Sequence, residues 1–148
     1  MLEQQYAYSA LRRSLESYSA ISNDTWQAFA TITKMRRLKK QTLLYKAGDV
    51  PQSYSYVYQG LIRCFVCDEK GNEYNKMFFD EDKFPGSMSA LLTASPSVLT
   101  FETIEDSIII EIDFVAYRQL MLEKEDLKLF QIHYLEKNWL LAKDAREI

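Results

Sequence analysis

The chain has 148 residues, 47% of them hydrophobic and 26% charged, with a formal net charge of −3. This composition excludes a disordered chain, fits one folded domain, and supplies no net positive field to draw the molecule onto nucleic acid. No run approaches the ~20 apolar residues that cross a bilayer, and the polar opening MLEQQYAYSALRRSLES lacks the apolar core of an export signal, so a cytoplasmic location is expected.

In chain order, Leu11, Leu15 and Tyr18 place a first helix behind a loose start of eight residues. Ser22, Asn23 and Asp24 offer N-caps for a second, amphipathic helix over TWQAFATITKMRR, in which Trp26, Phe29 and Ala30 recur at helical spacing. The cations between Lys34 and Lys40 are then expected near that helix's C-terminus, where they complement its dipole. From Thr42 to Ile112 the pattern changes to short β-rich runs, TLLYK, SYVY, LIRCFVC, YNKMFF, VLTFETI and SIIIEI, divided by turn residues. Gly71 in DEKGNE supplies the positive φ of a hairpin. Asp113 caps a helix over FVAYRQLMLEK, and a longer helix runs from about Glu125 to the end.

The predicted fold is mostly β with flanking helices, a small barrel or a jelly roll (double-stranded β-helix), which closes or protects its sheet edges. It divides into a helical segment over residues 1–36, a barrel over 37–113 interrupted by a short helix at 86–92, and helices over 114–148. The last helix carries two apolar stripes. Leu127, Phe130, Tyr134, Leu141 and Ala145 are assigned to a homodimer seam; Leu129, Ile132, Trp139 and Ala142 form the other stripe, and both packing within one protomer is the alternative. The chain stops in helical register at AKDAREI, which reads as a trimmed end.

Catalytic and metal chemistries find little support. The single histidine, His133, lies in a helical pattern without a second imidazole or a nearby cysteine, so no metal site and no cofactor are expected. There is no glycine-rich phosphate loop. Cys64 and Cys67 form a C-x-x-C pattern on a strand, where residues three apart point to opposite faces. The adjacent pairs Glu81-Asp82, Glu105-Asp106 and Glu125-Asp126 fall at turns and helix starts, where acids belong for backbone reasons.

The order of elements, with Gly48-Asp49 after the first strand, Gly60 before LIRCF, the hairpin Gly71, Phe84-Pro85-Gly86 before a short helix and Ile112-Asp113 before the last helices, resembles the cyclic nucleotide-binding effector domain of Crp/Fnr-type bacterial transcription regulators. The resemblance covers about residues 15–148 and implies a ligand sensor, not an enzyme, that dimerises and reaches DNA only through a C-terminal domain not in this chain. It places the ligand against Gly86, Ser87 and Met88, against Ser97 and Val98, and against a barrel lining of Cys64, Met77, Phe79 and Met88. Relatives that bind cyclic AMP hold the ribose with a glutamate after the glycine and the phosphate with an arginine followed by serine or threonine. Ser87, Ser97 and Val98 stand at those places here, and no lysine or arginine occurs between Lys83 and Arg118. Losing one partner of a desolvated charge pair costs roughly 2–5 kcal/mol, so cyclic AMP is not expected to bind. The apolar lining suits an unidentified uncharged or aromatic effector, or a filled core.

Overall fold

Three successive isoleucines in SIIIEID cannot serve a strand with one wet face, because alternate residues point to opposite sides of a sheet. The computed structural model, which describes residues 2–147 with side chains through residue 142, buries this run on both faces. Its elements are α1 (Leu2–Glu16), α2 (Asn23–Thr31), β1 (Thr33–Leu38), β2 (Leu43–Tyr45), β3 (Ser53–Gln59), β4 (Ile62–Cys67), β5 (Glu73–Phe79), α3 (Met88–Thr93), β6 (Thr100–Thr103), β7 (Ser107–Asp113), α4 (Phe114–Glu123) and α5 (Glu125–Glu147). The strands form two antiparallel sheets in the orders β1-β7-β3 and β2-β6-β4-β5, the jelly-roll arrangement expected from the strand pattern.

β7 lies between two cores. Ile109, with Val57 and Leu38 of the neighbouring strands, meets Ile62, Cys64, Phe79 and Phe101 of the second sheet. Ile110 and Ile112, with Tyr54 and Tyr56, face the other way and pack against Leu11, Leu15, Phe29, Tyr117, Leu127 and Phe130 of the helices. Asp113 ends the strand and caps α4, accepting the Ala116 N–H at 2.8 Å as predicted. Ser22 caps α2 through the Thr25 N–H, and Asp126 accepts both the Ser22 N–H and the Thr25 hydroxyl, at 2.8 and 2.7 Å. These bonds tie the start of α2 to the start of α5.

Two readings of the N-terminal region are corrected. α1 begins at Leu2 and buries Ala7, so the first eight residues are helical rather than loose; Ala7, Leu11 and Leu15 recur every four residues and share one buried face. Nor does α2 continue through KMRR: it ends at Thr31, and β1 takes Lys34, Arg36 and Arg37 into a ladder with β7. Pairing with a strand outweighed helical periodicity there, and the cations answer carboxylates instead of a helix dipole. Arg36 bonds Glu111 at 2.8 Å and Arg37 pairs with Glu3.

Gly71 has φ +86° and closes the β4–β5 hairpin, donating to the Asp68 carbonyl at 3.1 Å. Gly60 is more constrained. Its φ is +116°, and a Cβ there would lie 2.6 Å from Ser107 Cβ at the start of β7, whereas a Cβ at Gly71 would meet open space. Gly71→Ala should therefore cost only the left-handed penalty of about 1–2 kcal/mol, and Gly60→Ala should add an overpacking cost of about 1–3 kcal/mol. Urea unfolding of the two variants measures the difference; equal losses would mean that Ser107 yields freely.

Candidate functional site

The segment before α3 is held by the edge of a sheet. β3 ends the order β1-β7-β3, and its outer backbone groups are used by the following loop: the Ser55 N–H donates to the Pro85 carbonyl and the Val57 N–H to the Lys83 carbonyl, both at 3.0 Å. Gly86 follows at such close approach that a Cβ would lie 2.7 Å from Tyr54 Cβ. The glycine is thus required by packing against β3 rather than by a positive φ. This contact sets the position of Ser87 and the first turn of α3.

The inner face of the second sheet turns toward that turn. Tyr45, Phe101, Cys64 and Met77 are paired in register across β2, β6, β4 and β5 and form one row on the sheet. Tyr45 packs against Phe101 with the rings tilted by 47° and their centroids 4.9 Å apart, and Phe79 follows at 6.0 Å from Phe101. The Tyr45 hydroxyl accepts the backbone N–H of Ser87. Burial raises the Tyr45 hydroxyl well above its ordinary pKa, with the Ser87 bond pulling the other way, so the group at the start of α3 is a neutral phenol. A side chain of the protein thus holds the N–H of Ser87, a residue that the resemblance places against a ligand.

The other predicted site residues divide. Cys64 and Phe79 are buried in the barrel core, and burial pushes the Cys64 thiol up, away from the reactive thiolate. Cys67 is exposed while Cys64 is buried, so the pair shares no face. Ser87 and Ser97 are buried, but the Ser97 hydroxyl turns onto its own loop, donating to the Leu99 carbonyl at 2.8 Å and accepting the Leu99 N–H at 3.0 Å. Three residues depart from the expected lining. Met77 lies on the predicted face yet is 52% exposed, because β5 is the sheet's edge strand and is exposed along most of its length. Val98 projects from its loop at 75% exposure. Met88 is partly exposed and turns to a cavity shared with α4 and α5 rather than into the barrel.

Neither Arg63 nor Arg36 is free to stand in for the missing arginine. Arg63 holds Glu102 through two N–H groups at 2.9 and 2.7 Å, reaches Glu73 at 3.0 Å and lies over the Phe65 ring. Arg36 is committed to Glu111. His133 sits on the surface of α5 beside Glu136, and no group of potential metal ligands occurs among the described residues. Tyr45 was the residue that sequence reasoning missed. Its signal was present in TLLYK and VLTFETI, whose pairing sets Tyr45 opposite Phe101.

The assignment of the two stripes on α5 is also corrected. Leu127 and Phe130 are buried within the protomer, and Tyr134 packs on Phe130, Phe84 and Tyr18, so these three belong to the helical core and not to an interface. The helix turns that face inward because the apolar surface of β3 and β7 demands cover. Leu141 is exposed, and the side chain of Ala145 lies outside the described residues. The stripe left open carries Leu129, Ile132, Leu135 and Trp139.

Comparison with known proteins agrees with this architecture. The cyclic nucleotide-binding domain family matches residues 35–124. The sensor domain of the transcriptional regulator DNR from Pseudomonas aeruginosa superposes with a TM-score of 0.77 at 17% identity, covering 100% of this chain and 97% of that one. The Thermus thermophilus catabolite activator protein gives 0.70 at 19% identity over 90% of this chain, which spans only 59% of that protein. The N-terminal domain of a transcriptional regulator from Streptomyces coelicolor gives 0.70 at 12% identity, covering 93% of this chain and 94% of that one. No curated protein matches the sequence, and no helix among the described residues is long and apolar enough to cross a membrane. With β2 through α4 inside the matched span, the chain belongs to the cyclic nucleotide-binding domain family and has the jelly-roll fold of Crp/Fnr-type sensor domains.

Proposed function

We propose that the chain is the effector-sensing and dimerisation domain of a Crp/Fnr-type transcription regulator of the bacterial cytoplasm, whose barrel does not take cyclic AMP. The observation that carries this reading is the Tyr45 hydroxyl on the Ser87 N–H. The position at the mouth of α3 that would serve a sugar-phosphate is used by a phenol, and the nearby guanidinium groups are paired with carboxylates. A cyclic nucleotide would have to displace Tyr45 and would find Arg36 and Arg63 already paired with carboxylates. DNA contact belongs to a domain outside this chain, reached through α5.

Dimerisation in this proposal runs along the open stripe of α5. Ile132, Leu135, Trp139 and Ala142 are spaced by three, four and three residues, the alternation of a two-stranded coiled coil. The second reading, a ligand-free scaffold that only dimerises, is favoured by the aromatic filling of the barrel by Tyr45, Phe101 and Phe79.

Calorimetric titration should register no binding of cyclic AMP or cyclic GMP; low-micromolar binding of either would overturn the reading of the barrel. Tyr45→Phe leaves the Ser87 N–H without its partner and should lower stability by about 1–3 kcal/mol in urea unfolding. A neutral result would show that the hydroxyl does not hold the segment. The double substitution Leu135→Glu with Trp139→Glu should convert a sedimenting dimer to a folded monomer. Leu127→Ala should instead destabilise the protomer by about 2–5 kcal/mol, and a dimer that survives the double substitution would sink the α5 seam.

A further inference from the structure

A cavity of about 320 Å³, open to solvent on one side, lies on the opposite side of β3 from the barrel core, between α3, α4 and α5. Its walls include Phe84, Met88, Leu92, Phe114, Phe130 and Tyr134. The volume falls at the small end of the ~300–1,000 Å³ typical of ligand sites, and an apolar wall with few polar groups is their usual character. Arg118 is the one charged residue lining it. Its guanidinium lies 5.8 Å from the centre of the Phe114 ring and pairs with no carboxylate among the described residues. Gln131 accepts the Tyr117 hydroxyl at 2.5 Å through its carbonyl oxygen, and its amide N–H groups make no hydrogen bond among the described residues. The cavity therefore offers an aromatic body, one free cation and one free amide donor, with no negative group to repel an anion.

We propose that this cavity is an effector site for a compact apolar carboxylic acid, its aryl or branched aliphatic body held among the aromatic rings and its carboxylate on Arg118. This rests on the reading of the chain as a sensor and places the sensing site outside the barrel. The location supplies the coupling. Met88 and Leu92 belong to α3, while Leu135 lines the cavity and also stands on the open stripe of α5. An occupant fixes the spacing of these two helices at the point where a second copy would pack. Cations and bulky polar ligands are excluded by the guanidinium and by the apolar wall.

The test uses the 148-residue chain with phenylacetate, indole-3-acetate and isovalerate as probes, each beside its neutral amide, followed by calorimetry and thermal shift. At least one acid should bind saturably and raise the melting temperature, with its amide at least about tenfold weaker. Arg118→Gln should erase that preference while leaving amide binding unchanged. Leu92→Trp, at an exposed position on α3, should abolish binding of acid and amide while circular dichroism stays native. Absence of saturable binding by every acid overturns the proposal, as does acid binding that survives Leu92→Trp. Undiminished acid preference in Arg118→Gln removes the assigned anchor and overturns it too. Sedimentation and the cyclic nucleotide titration are read on the same sample. A dimer that ignores both nucleotides and acids refutes the cavity alone, whereas nucleotide binding refutes the reading of the barrel.

Discussion

β7 is covered on both faces, and the division of the molecule into two cores follows from that. A strand with Ile109 on one side and Ile110 and Ile112 on the other must be sandwiched. The second sheet covers one face and the helices cover the other. Burying such side chains contributes roughly 1.5–3 kcal/mol each, so neither layer can leave without exposing the other's support. The ends of the strand are equally constrained. Ser107 fills the space that Gly60 leaves open, and Asp113 starts α4.

This division decides where a ligand could act. The barrel core is packed by Tyr45, Phe101 and Phe79, and the hydroxyl of the first of these is bonded to the turn that leads into α3. Two arginines of the sheets are committed as well: Arg36 to Glu111, Arg63 to Glu102 and Glu73. Partly exposed pairs of this kind add little stability, on the order of 0–1 kcal/mol, yet each withdraws a guanidinium from competition for an anion. Across β3 the situation is reversed. The helical side retains a cavity and an Arg118 that pairs with no carboxylate among the described residues, and it is bounded by α5 rather than by sheet alone.

Much of the fold was legible in the sequence because it is written in short-range signals. Alternating β-rich runs gave the strands, Gly71 the hairpin, and Asp113 the start of α4. The failures share a cause, which is that they depend on what lies opposite. KMRR has helical spacing but becomes β1 because β7 offers a ladder. Met77 has the right parity but sits on an edge strand that is exposed along its length. Leu127 and Trp139 look equivalent along α5, and only the position of β3 and β7 beneath the helix distinguishes buried from open. The loss of a cation between Lys83 and Arg118 was visible in the sequence. That a tyrosine from β2 meets the Ser87 N–H was not, since it requires the barrel strands and the turn before α3 to be assembled.

The start of α3 is the point where the two halves of the molecule meet. Pro85 and Lys83 are stitched to the edge of β3, Gly86 lies against Tyr54, and Ser87 is bonded to Tyr45 on the barrel side. One residue later Met88 faces the helical cavity. The turn is therefore clamped on its barrel side and open on its helical side, so a change in occupancy can displace α3 only toward or away from α4 and α5. A two-state response requires a ligand that distinguishes the states by its contacts. The contacts available for that lie on α3 and α5 together, through Met88, Leu92 and Leu135, while the barrel wall is already satisfied by the protein's own phenol.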